Sequence, residues 1–328
     1  MSGCGLGYED VRAAGERIAG GVRPVVLAPG GERTWFALEF LQHTGSFKAR
    51  GALNFLTARR AAGQLPKAGV AIASGGNAGL AAAWAAAREG VRATVFTPTT
   101  APEVKVAQLR ALGAEVRQVG TEYAEAVEAC AAFVAERGAL ASHAYDQPLV
   151  AAGAGTLVDE IVAARPSVTT VVVAVGGGGL LAGVAAAAAE HGLDVVGVEP
   201  ERCGALHAAL AAGRVVDVPV TSVAADSLGA RRVSADALWW AQQPHVRSVL
   251  VSDEEIVRVR RELWREHRLA VEHAAATALA GAPKPPTDAA ASVAPAALAP
   301  PAAPAVPADG EVCVVLCGAN TDLSDLAG

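Results

Sequence analysis

At 328 residues the chain is too long for one ordinary hydrophobic core and long enough for two α/β units. A net charge of −6 with scattered Lys and Arg argues against a nucleic-acid surface, and no apolar run is long enough to span a membrane. Cys4, Cys130, Cys203, Cys313 and Cys317 form no C-x-x-C pair and no metal-ligand spacing, so the expectation is reduced thiols in a cytoplasm and no metal centre.

Residues 1–7 lack the basic and apolar regions of a secretion signal. An amphipathic helix is predicted over 8–20, then a strand over 34–40 that leads straight into Leu41-Gln-His-Thr-Gly-Ser-Phe-Lys48, with helix following over 50–62. A short buried strand over 69–73 ends in Ser74-Gly-Gly-Asn-Ala-Gly79 and an alanine-rich helix over 80–88. The unit then repeats, with strands over 91–96 and 115–119 and helices over 102–112 and 123–136. After Ala141-Ser-His-Ala-Tyr145 come a helix ending near 164 and a strand over 169–175 that stops at four glycines. Helix over 180–190 and strand over 194–199 complete a βαβ unit, and amphipathic helices follow over 252–270 and from 271.

Strands alternating with helices predict an α/β fold of two doubly wound, mainly parallel sheets. The larger unit would take residues 1–66 and 146–328, the smaller one 67–145. Residues 282–308 are almost entirely Pro and Ala, which predicts an extended surface insertion, because 311–317 again reads as a buried strand.

Two loops and two side chains carry candidate chemistry. Gly176, Gly177, Gly178 and Gly179 follow a strand and open a helix, so backbone N–H groups converge on an anion at the positive end of the helix. Alone, this loop with Glu199 at the end of the next strand supports a dinucleotide site, and hence an NAD-linked oxidoreductase, about as well as anything else. Dinucleotide binding explains neither Lys48 in its Gly-flanked loop, nor the loop 74–79 with its hydroxyl, carboxamide and free amides, nor Cys317 at a strand end. Pyridoxal phosphate, with a phosphate, an aldehyde, a ring oxygen and a ring nitrogen, would use all four.

The stretch Glu39-Phe-Leu-Gln-His-Thr-Gly-Ser-Phe-Lys-Ala-Arg-Gly-Ala52 resembles the lysine signature of the fold-type II pyridoxal-phosphate enzymes, and within them the serine/threonine dehydratase (ammonia-lyase) branch. Ser74-Gly-Gly-Asn-Ala-Gly79, Gly176-Gly-Gly-Gly-Leu180, Val196-Gly-Val-Glu-Pro200, Ser227-Leu-Gly-Ala-Arg-Arg232 and Leu316-Cys-Gly-Ala-Asn320 match in the family's order, so the resemblance covers nearly the whole chain. It implies a tryptophan synthase β-like fold with the cofactor in the cleft. Lys48 would hold pyridoxal 5'-phosphate as a Schiff base and then act as general base at Cα, with Ser46, Phe47 and residues 176–179 and Leu180 around the cofactor. Asn77 would bond the ring oxygen and Cys317 would face the ring nitrogen. Ser74, Gly75, Asn77 and Ala78 would receive the substrate carboxylate, with Ser74 also counted as catalytic, and Tyr145 would line the substrate side.

The implied reaction is β-elimination of L-threonine and/or L-serine to a 2-oxo acid plus ammonia in a cytoplasmic homodimer. The alternatives are elimination or replacement on another β-substituted amino acid, an NAD-linked oxidoreductase, or a cofactor-binding homologue without catalysis. Racemases of the family carry a serine where this chain has Gly75, which argues against racemisation. Ala205 stands where cation-binding members have a second acid, and Glu272-His273 replaces a Glu-Pro pair. No regulatory domain, and so no feedback control by an end-product amino acid, is expected.

Overall fold

The computed structural model describes residues 5–283, 310–322 and 324. Helix α1 (Tyr8–Ile18) turns Val11, Ala14 and Ile18 inward. Strands β1 (Leu27–Gly31) and β2 (Thr34–Ala37) pair as an antiparallel hairpin. The strand expected to run to residue 40 stops at Ala37, and Glu39–Leu41 forms a 3-10 turn instead. The turn swings Glu39 into the interior to meet Arg50, a contact that a continued strand would break. Helix α2 (Lys48–Ala61) begins two residues earlier than expected and makes Lys48 its first residue.

The chain then builds a second sheet from β3 (Val70–Ala73), α3 (Asn77–Arg88), β4 (Ala93–Thr97), α4 (Glu103–Ala111), β5 (Glu115–Gln118), α5 (Tyr123–Arg137) and β6 (Leu140–Ala141). All four strands are parallel, in the order β5-β4-β3-β6.

Helices α6 (Pro148–Gly155) and α7 (Leu157–Ala164) return the chain to the first sheet, which gains β7 (Val168–Ala174), α8 (Gly179–His191) and β8 (Asp194–Pro200). Three short helices follow, α9 (Ala205–Ala212), α10 (Ala225–Leu228) and α11 (Ala235–Ala241), then β9 (Val246–Val251), α12 (Asp253–His267), α13 (His273–Ala280) and β10 (Glu311–Val315). The six strands run β1-β2-β10-β7-β8-β9, parallel from β2 onward. Beyond Ala282 and Pro283, the Pro/Ala-rich stretch expected as an insertion lies outside the described residues.

Valines of β7, β8 and β10 and alanines of α6 and α8 fill the larger core. Small side chains let helices approach closely: a Cβ on Gly183 of α8 would overlap the Ala151 carbonyl of α6. The helix is buried from Gly179 to Ala188, which an Ala/Gly surface permits without voids.

Register places the crevice. Val315 pairs with Ala37 and Val314 with Val172, so β2, β10 and β7 end side by side. Their following segments are the approach to Lys48, the Cys317 turn and the four-glycine loop. Ligands of open α/β sheets bind at the carboxyl ends of such strands.

Candidate active site

Lys48 sits at the first turn of α2 with Nζ donating to the Ala144 carbonyl at 3.0 Å and standing 5.0 Å from the Phe47 ring. Burial disfavours its charge and brings the amine down to about 8, while the Cys317 thiol and Glu272 carboxylate pull weakly the other way. At neutral pH an amine so poised has a share of free base able to attack a carbonyl.

The Cys317 turn is stitched to the same loop. The Phe47 amide donates to the Cys317 carbonyl at 3.0 Å, the Ala319 amide to the Gly45 carbonyl at 2.9 Å, and Ser46 bridges Gly318. Burial, reinforced by Glu272, pushes the thiol up to about 12, so it stays protonated and neutral. The Ser46 hydroxyl is fully buried without a hydrogen-bond partner among the described residues, as is Thr44 Oγ1. Ser46 is therefore paired through its backbone to the Cys317 end of the crevice and forms no hydrogen bond to the glycine loop.

The glycine loop opens α8, whose first-turn N–H groups have no intrahelical acceptor. Gly178 has φ +86, a left-handed conformation that favours glycine. A Cβ on Gly177 would overlap the Tyr145 ring, one on Gly178 would overlap Ala237, and one on Gly176 would press on Leu228. Side chains here would fill the cradle. Tyr145 thus lies against the loop, with its hydroxyl donating to the Arg232 carbonyl at 3.1 Å. It also follows Ala144, so one dipeptide links the lysine amine to the glycine loop. His143 is occupied locally, its Nδ1 accepting from the amides of Tyr145 and Asp146 at 3.3 and 2.9 Å.

The loop 74–79 reaches in from the second sheet. Ser74 Oγ accepts from the Gly76 amide at 3.4 Å, and a Cβ on Gly75 would meet Thr97 Cγ2 at 3.2 Å. Asn77 and Ala78 open α3, so their amides are also free of helical acceptors. The Asn77 carboxamide faces Glu272 and Asn320.

The structure brings Lys48, Phe47, Ser46 and Cys317 together, attaches the glycine loop through residues 144–145, and meets loop 74–79 through Asn77. Two features were missed. Arg50 is fully buried, with Nε and Nη2 on Glu39 at 2.8 and 2.7 Å, and Nη1 and Nη2 on Glu160 at 2.6 and 3.0 Å. Glu272, noted in the sequence only as a departure, is a buried carboxylate in the middle of the site. A lone acid inside the apolar run Leu269-Ala-Val-Glu-His-Ala-Ala was its signal.

Glu199 answers the dinucleotide alternative. It is fully buried and accepts from the amides of Leu206 and His207 at 2.7 and 2.8 Å, so its carboxylate caps α9 and faces no ribose. Among the described residues no cluster of three or more potential metal ligands is found.

A neutralisable amine, a neutral thiol, a side-chain-free anion cradle and buried unpartnered hydroxyls fit an aromatic aldehyde that carries a phosphate. Fold and site together define an α/β enzyme that does carbonyl and amine chemistry with such a group. The chain belongs to the pyridoxal-phosphate dependent enzyme family, whose profile matches residues 18–318. It is 37% identical over 248 residues to an L-threonine ammonia-lyase of Geobacter sulfurreducens, an alignment that takes in 75% of this chain and 61% of that protein. It is 32% identical to the human L-serine dehydratase/L-threonine deaminase, covering 76% of this chain and 77% of that one. The fold is similar to that of the processed threonine deaminase isoform 2 from Solanum lycopersicum, with a TM-score of 0.84, 26% identity, and 98% and 90% of the two chains covered.

Proposed function

We propose that the chain is a pyridoxal-phosphate-dependent ammonia-lyase that removes water and then ammonia from L-threonine and/or L-serine, leaving a 2-oxo acid. One observation carries the reading: a buried amine brought down to about 8 stands at the carboxyl edge of the sheet beside a neutral thiol and within one dipeptide of an anion cradle. The names of the relatives support the choice of substrate.

When bound, pyridoxal phosphate supplies an aldehyde for the amine and an electron sink for the charge left when a Cα proton departs. The chain's residues do the rest. Lys48 Nζ would hold the cofactor and, when free, would take the Cα proton. Residues 176–180 present their amides to the phosphate. Asn77 offers an N–H to the phenolic oxygen. Cys317, being neutral, would face the ring nitrogen without fixing a positive charge on it, and a moderate sink of that kind would suit elimination. The amides of Gly75 and Ala78, with the Ser74 hydroxyl, receive the substrate carboxylate. Ser46 and Thr44 offer their buried hydroxyls near the Cys317 turn, and Tyr145 walls the cradle.

Gly75 has no side chain that could carry a proton to the opposite face of Cα, so the product is a keto acid and not a D-amino acid. The same reading takes residues 67–145 as the small domain that closes on the substrate, and the protein as a cytoplasmic homodimer. Among the described residues no helix is long and apolar enough to cross a membrane.

The purified protein is expected to show a visible absorbance band with pyridoxal phosphate, absent in Lys48→Ala, and to release ammonia and 2-oxobutyrate or pyruvate from L-threonine or L-serine. A band without product from either amino acid would leave the cofactor assignment standing and overturn the substrate assignment.

A further inference from the structure

Glu272 precedes α13 and is only 2% exposed. Its two carboxylate oxygens take three N–H contacts: Asn77 Nδ2 to Oε1 at 2.8 Å and to Oε2 at 2.9 Å, and the Asn320 amide to Oε1 at 2.9 Å. Asn77 Oδ1 in turn accepts from Asn320 Nδ2 at 2.8 Å, and that nitrogen also donates to the Thr44 carbonyl at 2.7 Å. The Glu272 amide donates to the Gly318 carbonyl at 3.0 Å, and a Cβ on Gly318 would stand 2.6 Å from Glu272 Oε2. Four segments, from both sheets, close around one carboxamide.

The chemistry of this ring fixes which end of Asn77 is which. A carboxylate only accepts, so it selects the nitrogen of the carboxamide, while Asn320 Nδ2 only donates, so it selects the oxygen. The two contacts work as a pair, and together they leave no second arrangement with all partners satisfied. Both Glu272 oxygens lie on one side of Nδ2, so one N–H bridges them and the second N–H, with a lone pair on Oδ1, is left for another partner.

We propose that Glu272, with Asn320, is a positioning residue that locks the Asn77 carboxamide nitrogen-inward, so that its remaining N–H is presented to the phenolic oxygen of the cofactor. The inference rests on the cofactor reading above and adds to it why loop 74–79, which belongs to the second sheet, is held in register with the Cys317 turn.

The test is a double-mutant cycle on cofactor affinity, read by quenching of tryptophan fluorescence as pyridoxal phosphate is titrated into the cofactor-free protein. Glu272→Gln keeps the shape but removes the charge and leaves one acceptor oxygen where the Asn77 and Asn320 N–H groups met two. It is expected to weaken cofactor binding by roughly tenfold or more, as loss of a charged hydrogen bond does. Asn77→Ala is expected to weaken it to a similar degree, and the double variant to be no worse than the weaker single. The absorbance band that depends on Lys48 should persist at saturating cofactor in every variant. Wild-type affinity in Glu272→Gln, or a double variant whose loss is the product of the two single losses, overturns the proposal. Loss of the band from the wild-type protein would overturn the cofactor reading instead. Should Glu272→Gln fail to fold, Asn320→Ala cuts the other arm of the ring and enters the same cycle with Asn77→Ala, with the same two overturning outcomes.

Discussion

Helix α2 carries two cations two residues apart, Lys48 half-buried and Arg50 fully buried, and they have opposite fates. Lys48 faces the crevice with a backbone carbonyl as its hydrogen-bond acceptor, and its proton is held loosely, down to about 8. Arg50, turned to the other side of the same helical turn, is wrapped by Glu39, Glu160 and Thr156. Burial alone would weaken its charge as well, but Glu39 and Glu160 outweigh burial and hold the guanidinium above its ordinary value. Burial without a carboxylate makes a base, and burial with two makes a strut. The more deeply buried of the two keeps its charge, so the partners decide the difference.

Removing each cation should therefore break different things. Lys48→Ala is expected to lower turnover of L-threonine or L-serine by roughly 10²–10⁴-fold while leaving the urea midpoint at or above that of the wild type, because no ion pair is lost. An unfolding midpoint that falls with the activity would make Lys48 a strut as well. Arg50→Met should do the reverse, destabilising by ~3–5 kcal/mol because Glu39 would be left buried without its partner. Equilibrium urea unfolding measures that, and the protein that stays folded should keep its cofactor absorbance band.

The contrast between these two residues was only half legible in the sequence. Lys48 could be picked out because its Gly45 and Gly51 neighbours and its loop are local, and because the motif around it is contiguous. Nothing local sets Arg50 apart from an ordinary helical charge, since its partners lie 11 and 110 positions away and meet only through the fold. The same distinction runs through the elements. The uninterrupted valines of β7 gave a strand within one residue of its observed bounds, 168–174. β9 was missed: Val246–Val251 carries Arg247 and Ser248 in its middle and follows a seven-residue helix too short to show a period. Glu272 showed as a mismatch to a familiar pair and as a lone acid in an apolar run, but nothing local says that Asn77 and Asn320 will come to it.

The pH dependence of the cofactor-free protein sharpens the comparison from the Lys48 side. The folded amine, at about 8, binds its proton less tightly than the ordinary 10.5 of an unfolded chain. The unfolded state therefore carries more proton between those values, and stability rises with pH across that window. Below about 8 the full cost of protonating a buried amine is present, and above 10.5 none of it. Lys48→Met should be more stable than wild type at pH 7, and the gap should close as pH rises from about 8 to 10.5, followed by thermal unfolding. A gap that does not change with pH would mean the amine is solvated in the folded protein. Arg50 offers no such window, as its charge is fixed in both states.

A third pair supplies the half-exposed limit of the comparison. Arg165 reaches Glu311 at the start of β10 with Nε and Nη2 at 2.7 and 2.6 Å, in the same forked geometry that Arg50 uses on Glu39, but its side chain is 39% exposed. The Arg165 hydrogen bonds hold the Glu311 carboxyl down to about 2. Its stabilising effect is accordingly full above the ordinary 4.5 and disappears as pH falls through about 2. Glu311→Gln should cost only ~1 kcal/mol at pH 7, because water already screens one side of the pair and neither partner is stranded in an apolar core. The difference from wild type should shrink between pH 4.5 and 2, measured by urea unfolding in that range. If Glu311→Gln cost as much as Arg50→Met, fork geometry and not burial would set the strength of these pairs. The contrast on α2 would then need a different explanation, in which the helix itself, and not the carboxylates around Arg50, decides which cation keeps its proton.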